Sequence, residues 1–470
     1  MSANDCKNIR LSTAIILAAG EGARMKSSIP KVLHNFCGKT FLQRVISNVR
    51  ALNPDKTAVV VRHEAQKVSQ AALSYYDAVQ IVKQDEKPGT GRAVQCAVEY
   101  FGENGGLGNT VLITASDMPL LSADVLRALY AEHAESGNAA TVLTAEVGSP
   151  FGYGRIIRNE DGSVAKIVEE ADANDRQKAI REVNTSVYLF NAQALEYSIS
   201  RLDSQNAQNE FYLTDALASA NEFGRVGAYA APDPLSVAGV NDRVQLCRLA
   251  KEHNLRICEQ KMREGADIAD PATTWIEEDV VIEPDAQILP GSFLKGKTVV
   301  GKSAVVGPYT TLIDATVDES AVVERSRVES AHIGANANIG PWTYLRPGSD
   351  LGENAKAGAF VEMKKAVIDE GSKVPHLSYI GDAHIGSKSN VGGGTITANY
   401  DGVHKSRTEI GSGVHIGAGN MLVAPVNVGN GVTTGAGSVV RKDINDNAMA
   451  YSENSQHTVE DWKPVWERGE

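Results

Sequence analysis

An aliphatic residue returns at every sixth position through residues 282–440, and this period constrains the fold more than any other feature of the chain. A period of six fits neither an α-helix nor the plain alternation of a β-strand. It is typical of a hexapeptide parallel β-helix, in which each coil has three short faces and one aliphatic side chain per face points inward. Since one coil cannot bury its own aliphatic side chains, stability must come from stacked coils. The in-register residues are Val300, Val306, Leu312, Ile333, Ile339, Leu345, Leu351, Ile385, Val391, Ile416, Leu422 and Val428.

Two stretches, residues 357–379 and 397–407, break this period. Insertions in a solenoid form loops on one face, which is often the binding face. The polar side chains in or beside these stretches suit a sugar phosphate, with cations for the phosphate, hydroxyl and amide groups for the sugar, and a histidine for proton transfer. They are Arg346, Lys364, His376, Tyr379, Asn390, Asn399 and Tyr400. A lone histidine is more often structural, but in this setting we expect a binding site on the coil.

The first half of the chain alternates strand and helix patterns. Short apolar strands are predicted at residues 14–17, 57–61, 78–82 and 110–114, with helical spacing at residues 41–52 and 92–101. This alternation predicts an α/β fold, a mostly parallel Rossmann-like sheet flanked by helices. Ligands of such sheets bind outside the carboxyl ends of the strands. We expect a first domain at 1–240, a connecting amphipathic helix at 241–264, the β-helix at 265–450 and a tail at 451–470.

The turn after the first strand favours an anion. Gly20 and Gly22 let backbone N–H groups face a phosphate, although the G-x-G pattern taken alone fits a plain tight turn equally well. Arg24 and Lys31 shift the balance, because a guanidinium fork and an ammonium both bind phosphate oxygens. Asp117 follows the fourth strand, where it could hold a divalent cation against phosphates or simply cap a turn.

Composition excludes several classes of protein. The 470 residues suggest two or three domains, and a net charge of −12 argues against a general nucleic-acid-binding surface. No apolar run reaches the length of a membrane span and the start has no signal-peptide core, so we expect a cytoplasmic protein that binds no membrane. Its cysteines form no C-x-x-C pair and are expected to be reduced thiols. They are Cys6, Cys37, Cys96, Cys247 and Cys258.

A series of short motifs gives the chain a family resemblance. In order along the chain these are L-A-A-G-x-G-x-R-M, P-K-V-L-H, G-T-G, D-x-P-L, G-Y-G-R, I-V-E, V-N-T and G-V-N. The chain thereby resembles the sugar-1-phosphate nucleotidyltransferase family. With the β-helix attached, it resembles bifunctional members of that family. The resemblance implies acetyl transfer from acetyl-CoA to glucosamine-1-phosphate, then uridylyl transfer from UTP to N-acetylglucosamine-1-phosphate with release of pyrophosphate.

The resemblance also implies roles for individual residues of the first half. The phosphates of UTP would be bound by Leu17, Ala18, Ala19, Gly20, Arg24 and Lys31, and the uracil by Gln84, Gly89 and Thr90. The sugar would be held by Gly154, Glu169 and Asn184, and Mg²⁺ by Asp117 and Asn241. Because no protein nucleophile is needed, catalysis would consist of positioning and charge neutralisation.

For the β-helix the resemblance implies an acetyltransferase site with His376 as general base and Glu362 orienting it. The sugar phosphate would be bound by Arg346, Lys364, Tyr379, Asn390, Asn399 and Tyr400, and acetyl-CoA by Gly393, Ala418 and Ala436. A left-handed coil and a homotrimer with sites shared between subunits are implied in the same way.

The chain departs from the family pattern at five positions. Ala115 and Ser116 replace a Tyr-Gly pair before Asp117, and Ser186 stands where glycine is usual. Ala418 replaces a serine, and Glu453 stands where an arginine is often found near the CoA. Since an anion beside a negatively charged cofactor should weaken binding, we expect a raised KM for acetyl-CoA, which Glu453→Arg should lower.

Two other functions remain to be weighed. The chain could be a uridylyltransferase whose β-helix serves only oligomerisation or metabolite sensing. It could also be a non-catalytic regulatory subunit, which retention of Asp117, Asn241 and the phosphate-binding cations disfavours. His376 and the insertion at 399–402 favour two activities, because a purely structural coil needs neither.

Overall fold

The computed structural model describes residues 11–453, 456–464 and 466, and these divide into two compact units. The units cover residues 1–253 and 254–470. The four cysteines in the described residues, Cys37, Cys96, Cys247 and Cys258, are thiols rather than disulfides, as predicted. Cys6 lies outside the described residues. No helix of the described residues is both long enough and apolar enough to cross a membrane. The finer predicted segmentation stays a prediction.

The first unit is an α/β fold built on a nine-stranded sheet, as predicted. The strands of the unit are β1 Thr13–Leu17, β2 Asn35–Phe36, β3 Lys39–Thr40, β4 Lys56–Val61, β5 Gln80–Lys83, β6 Thr110–Ala115, β7 Ala140–Glu146, β8 Arg155–Arg158, β9 Val164–Val168, β10 Glu182–Asn191 and β11 Val226–Ala230. Of these, β2 and β3 form a separate two-stranded sheet. Its helices are α1 Phe41–Arg50, α2 Ala65–Tyr75, α3 Thr90–Glu103, α4 Ala123–Ser136, α5 Asp175–Lys178, α6 Ala192–Ser200 and α7 Thr214–Ala220, and α8 Arg243–Arg263 follows across the boundary of the units.

The strand order of the main sheet is β11-β7-β10-β6-β1-β4-β5, and β10 runs antiparallel to its neighbours. Strands β6, β1, β4 and β5 are parallel, so their carboxyl ends meet at one edge. All five residues of β1 are buried, as expected for a strand covered on both faces. The turns that follow these four strands therefore converge on one side of the unit.

The second unit is a parallel β-helix whose strands recur on three faces, a fold consistent with left-handed coiling. Gln287 pairs with Val305 and Val305 with Val322, so each coil stacks directly on the previous one. One face forms an 11-stranded sheet of β12 Asp267–Ile268, β15 Gln287–Ile288, β18 Val305–Val306, β21 Val322–Val323, β24 Asn338–Ile339, β27 Lys356–Ala359, β29 Lys373–His376, β31 Asn390–Val391, β34 His415–Ile416, β37 Thr433–Thr434 and β39 Met449–Ala450.

The other two faces form a 17-stranded sheet, because β28 and β30 each turn a corner. Its strands are β13 Trp275–Ile276, β14 Val281–Ile282, β16 Phe293–Lys295, β17 Val299–Val300, β19 Thr311–Ile313, β20 Thr316–Val317, β22 Arg327–Glu329, β23 His332–Ile333, β25 Tyr344–Leu345, β26 Asp350–Leu351, β28 Glu362–Ile368, β30 Tyr379–Ile385, β32 Ile396–Ala398, β33 Thr408–Ile410, β35 Met421–Val423, β36 Val426–Val428 and β38 Val439–Val440.

The hexad residues form the core of the coil, as predicted: Val306, Leu312 and Leu345 are fully buried. Residues four positions later are small because they also point inward. Where they carry a hydroxyl, a carbonyl of a turn often satisfies it, as in the 2.7 Å bond from Thr343 Oγ1 to the Gly358 oxygen, although Thr274 Oγ1 and Thr408 Oγ1 have no such partner. A buried hydroxyl without such a partner would be costly.

One of the two predicted interruptions is wrong. Residues 357–379 form no loop, since Ala357 pairs with Val374 and Glu362 with Tyr379 in continuous ladders. The period was hidden because alanine and methionine replace the usual aliphatic residue and one step shortens from six to five residues. The buried series continues through Ala357, Met363, Ile368, Val374 and Ile380. Residues 397–407 are a true insertion, because the coil there extends from Asn390 to its ladder partner His415.

Candidate active sites

A cavity of about 570 Å³ opens at the carboxyl ends of β1, β4, β5 and β6. Of the predicted nucleotide-site residues, Leu17, Ala18, Ala19, Gly20, Lys31, Gln84, Gly89, Thr90 and Asp117 line it. Arg24 and Asn241 are not among the lining residues but bond to each other, with Arg24 Nη2 donating to Asn241 Oδ1 at 2.9 Å. The structure thus brings the predicted phosphate, uracil and metal residues together around one opening.

Two glycines of this cavity are required by close packing. Gly22 has φ of +65°, and a Cβ there would lie 2.5 Å from Cβ of Lys31, so glycine lets the Lys31 side chain cross the turn. Gly89 has φ of +117°, and a Cβ there would lie 2.3 Å from the carbonyl oxygen of Phe211. Glycine is the residue that tolerates such a backbone. The loop before α3 is consequently held against residue 211.

Gln84 is 3% exposed and is oriented by its backbone surroundings. Its Nε2 donates to the carbonyl oxygens of Lys87 at 2.8 Å and Gly89 at 3.2 Å. This orientation leaves the side-chain carbonyl oxygen as an acceptor, which suits the N–H of a pyrimidine.

Lys31, Asp117 and Asn241 meet at one point. Lys31 Nζ donates to Asp117 Oδ2 at 2.5 Å and to Asn241 Oδ1 at 2.9 Å. A 2.9 Å backbone bond from Val240 N to the Asp117 oxygen holds the two segments together. A carboxylate oxygen and an amide oxygen thus both contact one cation, the Lys31 ammonium. Oxygens of these two types are ligands that Mg²⁺ accepts. Within the described residues no group of three or more His, Cys, Asp or Glu side chains is arranged to hold a metal ion. The two oxygens therefore fit a cation that takes its remaining ligands from phosphates and water.

The predicted sugar-binding residues come from three neighbouring strands. Asn184 N donates to the Gly154 oxygen at 2.9 Å, and a Cβ at Gly154 would lie 3.2 Å from Glu169 Oε2. Asn184 Nδ2 donates at 2.8 Å to the hydroxyl of Tyr188, whose side chain also lines the cavity. Burial raises the pKa of Glu169, only partly opposed by a hydrogen bond from Thr214. The three predicted residues form one group, joined to the cavity by Tyr188.

Next to Gly154 lies an ion pair between a buried arginine and a partly exposed glutamate, a pairing that sequence reasoning missed. Arg155 is 1% exposed, and its Nη2 donates to Glu170 Oε2 at 2.7 Å. The same carboxylate oxygen accepts from Gly152 N at 3.1 Å, and Arg155 also bonds to the Tyr153 carbonyl. The pair therefore ties down the loop that presents Gly154.

Two departures from the family pattern have local explanations. Ser116 Oγ donates at 2.6 Å to the carbonyl oxygen of Leu17, which ties the end of β6 to the end of β1 inside the core. Ser186 has φ of +61°, the left-handed conformation that glycine adopts at no steric cost. Its backbone N donates to Asn184 Oδ1 at 3.0 Å.

In the β-helix, the predicted phosphate-binding cations lie on neighbouring coils. Arg346 Nη1 donates to Glu362 Oε1 at 3.0 Å, and Lys364 Nζ donates to Asp382 Oδ2 at 3.1 Å. Glu362 pairs with Tyr379 in the ladder, which adds that residue to the group. In the described chain the Glu362 carboxylate bonds to Arg346 and makes no hydrogen bond to the His376 imidazole, so the role of Glu362 in orienting His376 stays a prediction.

A second cation and a carboxylate complete this group, and sequence reasoning missed both. Asp382 accepts from Asn399 as well as from Lys364. Lys405 lies beside Lys364, which lowers the pKa of the Lys405 ammonium. Burial alone would lower the pKa of Lys364, but the hydrogen bond to Asp382 contributes to a net rise. Two ammonium groups held this close favour an anion between them.

His376 ends β29 and packs on the next coil. A Cβ at Gly393 would lie 2.8 Å from its Cδ2 atom, so the predicted base and a predicted acetyl-CoA residue are in contact. Tyr379, three residues later, begins the strand that pairs with the Glu362–Lys364 segment. Tyr400 is 60% exposed and bonds to the Gly402 carbonyl in the insertion. Asn390 lies on β31, and Ala418 and Ala436 are exposed on the following two coils.

Comparison with known proteins agrees with both halves. The MobA-like NTP transferase domain matches residues 14–187, and the GMPPB C-terminal domain matches residues 276–357. The bifunctional protein GlmU of Bifidobacterium animalis subsp. lactis (strain AD011) is 65% identical over 458 residues, which cover 97% of this chain and 100% of that protein. The chain belongs to the GlmU family. GlmU of Bifidobacterium longum (strain NCC 2705) is likewise 65% identical over 97% of this chain and 100% of its own. GlmU of Paenarthrobacter aurescens (strain TC1) is 48% identical over 96% of this chain and 91% of its own.

Membership of the GlmU family confirms the predicted activities. The chain is a bifunctional transferase of UDP-N-acetylglucosamine synthesis, with uridylyltransferase and acetyltransferase activities. It acts on nucleotide and sugar-phosphate substrates and uses acetyl-CoA. The interpretation in which the β-helix is only a scaffold is thereby disfavoured.

Proposed function

We propose that the cavity of the first unit is the uridylyl-transfer site and that the residues around His376 form the acetyl-transfer site. The observation that carries the first assignment is the convergence of Lys31, Asp117 and Asn241 at the mouth of a cavity that Gln84 also lines. Groups suited to phosphate, to a cation and to a base therefore lie around one cavity.

At the first site, an oxygen of the sugar phosphate attacks the α-phosphorus of UTP while the bond to the bridging oxygen breaks and pyrophosphate leaves. The backbone of residues 17–20, with Arg24 and Lys31, binds the phosphates and balances their charge. Glu169 and Asn184 hold sugar hydroxyls, because a carboxylate accepts hydrogen bonds and an amide can both donate and accept them. Rate enhancement would come from alignment and charge stabilisation rather than from covalent catalysis.

Mg²⁺ is part of this proposal, with Asp117 and Asn241 as its protein ligands. When bound, it would neutralise charge on the phosphate oxygens. Lys31 Nζ already contacts an oxygen of each of these two residues, so both oxygens can face one cation beside the phosphates that Lys31 would bind.

At the second site, His376 accepts a proton from the C2 amine of glucosamine-1-phosphate as the nitrogen attacks the thioester carbon. The carbon–sulfur bond breaks and CoA leaves as a thiol. The contact between His376 and Gly393 carries this assignment, because it puts the base beside the acetyl-CoA position. Arg346 and Lys364, joined by Lys405, supply the positive charge for the sugar phosphate.

A homotrimer completes the proposal, and one corner of the coil supports it. Tyr309, Trp342, Phe360 and Leu377 are 67%, 56%, 57% and 64% exposed there, and all have positive φ. The rings of Trp342 and Phe360 stack with centroids 5.2 Å apart. Exposed apolar columns of this kind mark interaction surfaces, and left-handed φ is costly for bulky residues. Since Leu377 follows His376, a second copy seated on this column would reach the acetyl-transfer site.

Two single variants test the assignment of the sites in the full-length protein. His376→Ala should abolish thiol release from acetyl-CoA in the presence of glucosamine-1-phosphate and spare uridylyl transfer, whereas Asp117→Ala should do the reverse. Loss of both activities from either change would contradict two separate sites.

Replacing Trp342 and Phe360 together by aspartate should give a monomer in sedimentation and lose acetyl transfer only. A trimer that persists in that variant would refute the proposed interface. The cytoplasmic location expected from the sequence remains part of the same proposal, since both reactions draw on UTP and acetyl-CoA.

A further inference from the structure

Arg62 lines the nucleotide cavity, and nothing in the family pattern assigns it a role. It directly follows β4, whose last residues connect the two predicted binding segments: Val60 O accepts from Ala18 N, and Val61 O accepts from Gln84 N, each at 2.9 Å. Arg62 therefore lies between the phosphate-binding turn and the residue expected to read the uracil.

The guanidinium of Arg62 is partly buried without being bonded. Its side chain is 25% exposed, and its one ionic contact is a loose approach of Nη2 to Glu21 Oε1 at 3.8 Å. It forms no hydrogen bond with any other residue of the described chain. By contrast, Lys31, the other cation that lines the cavity, donates two hydrogen bonds. A guanidinium has five donors and cannot lose its proton, so burial without acceptors is unfavourable unless a ligand supplies them.

The position of Glu21 identifies the part of the nucleotide concerned. Glu21 is the residue after Gly20 in the phosphate-binding turn, and its side chain is 63% exposed. An exposed pair at this distance contributes little to stability. Because the guanidinium already reaches toward this turn, we propose that Arg62 binds a phosphate oxygen of UTP and that Glu21 is the anion it leaves when UTP binds. This proposal rests on the uridylyl-transfer site proposed above.

The test compares equilibrium binding of UTP to the full-length wild type and to Arg62→Gln. Since hydrogen bonds to charged groups contribute about 1.5–3 kcal/mol, Arg62→Gln should weaken UTP binding roughly tenfold to a hundredfold. Without ligand, its melting temperature should match that of the wild type, because no hydrogen bond is lost. Arg127→Gln is the control, since Arg127 on α4 bonds to Asp124 and to the carbonyl of Ala51 at the end of α1, and its replacement should leave UTP binding unchanged. If wild-type protein itself fails to bind UTP, the proposed site is wrong, whereas unchanged UTP affinity in Arg62→Gln refutes only the role of Arg62.

Two further measurements ask which part of UTP Arg62 contacts and whether Glu21 competes with UTP for Arg62. Arg62→Gln should weaken UTP much more than uridine and leave the preference for UTP over CTP unchanged; an equal loss for uridine, or a lost preference, would overturn the phosphate assignment. Glu21→Gln should tighten UTP binding when Arg62 is present, because Glu21 then no longer competes with UTP for the guanidinium. The gain should be smaller when Glu21→Gln is combined with Arg62→Gln, since that competition is already absent. Strict additivity of the two changes would show that Glu21 and Arg62 do not exchange partners.

Discussion

His133 makes the stability of the first unit depend on pH. It lies on α4 with 7% exposure, and its Nδ1 is 2.9 Å from Thr141 Oγ1. Burial lowers its pKa from 6.5 to about 4. The folded state therefore keeps the ring neutral while the unfolded chain takes up a proton below pH 6.5. The stabilisation is complete above pH 6.5, falls as the pH drops through the window between 6.5 and 4, and falls no further below it.

The expected loss follows from these two pKa values. At about pH 5, the difference in proton binding amounts to a loss of about 2 kcal/mol in the free energy of unfolding, and the full shift corresponds to about 3 kcal/mol. The assay is urea unfolding of the full-length protein, followed by far-ultraviolet circular dichroism. Helices α1 to α7 all lie in residues 11–253, whereas the four tryptophans lie beyond them, so circular dichroism follows the first unit and tryptophan fluorescence the second.

His133→Gln removes the titrating group, and the quantity compared is the pH dependence rather than the stability at one pH. The variant should lose about 2 kcal/mol less than the wild type between pH 7.5 and pH 5. His63→Gln is the matched control, because His63 is exposed and its replacement should leave the wild-type pH dependence intact. Parallel pH profiles for wild type and His133→Gln would refute the neutral buried imidazole.

Three other substitutions test positions at which the backbone or a buried charge dictates the residue. Gly381→Ala would place a Cβ 2.4 Å from the hydroxyl of Tyr379, so kcat/KM for acetyl transfer should fall about a hundredfold while uridylyl transfer persists; equal losses would count against it. Glu170→Gln leaves the buried guanidinium of Arg155 without its counterion and should lower the melting temperature of the first unit, measured by circular dichroism; an unchanged melting temperature would show that the pair adds no stability. Ser186→Gly relieves a left-handed φ of +61°, although glycine also raises the entropy of the unfolded chain. The net effect should be a higher melting temperature, with a gain in the free energy of unfolding below about 1 kcal/mol. A lower melting temperature would show that the serine hydroxyl contributes more stability than the left-handed backbone costs.

The fold was predictable where a periodic pattern reports burial directly. The strands expected at 14–17, 57–61 and 110–114 are β1, β4 and β6 within one residue, because apolar runs bounded by turns suffice for buried parallel strands. Prediction failed at residues 357–379, where Met363 and Ala357 replace branched aliphatics although they point inward. A pattern read by residue type misses a buried position that an unusual residue fills.

The candidate sites were predictable where a motif names the residues, and less so where distant segments meet. Lys31 was expected to bind phosphate while Asp117 and Asn241 were expected to bind Mg²⁺, and the contact of Lys31 with both of them depends on the pairing of β1, β4 and β6 and on the segment after β11. Arg62 and Asp382 carry no local motif, and the G-Y-G-R motif contains Arg155 without indicating its partner Glu170, so these partners became visible only with the fold in place.

Three of the predicted phosphate-binding cations already contact a carboxylate, and this pairing disfavours the binding of simple anions. Lys31 contacts Asp117, Arg346 contacts Glu362 and Lys364 contacts Asp382, each within 3.1 Å. A phosphate must therefore exchange with, or add to, a carboxylate already in place, and its affinity is the difference between the two interactions. A simple anion gains little from this exchange, whereas a substrate that also contacts the sugar or base residues gains the remainder. The carboxylates thus orient the cations and make binding depend on the whole substrate rather than on its charge.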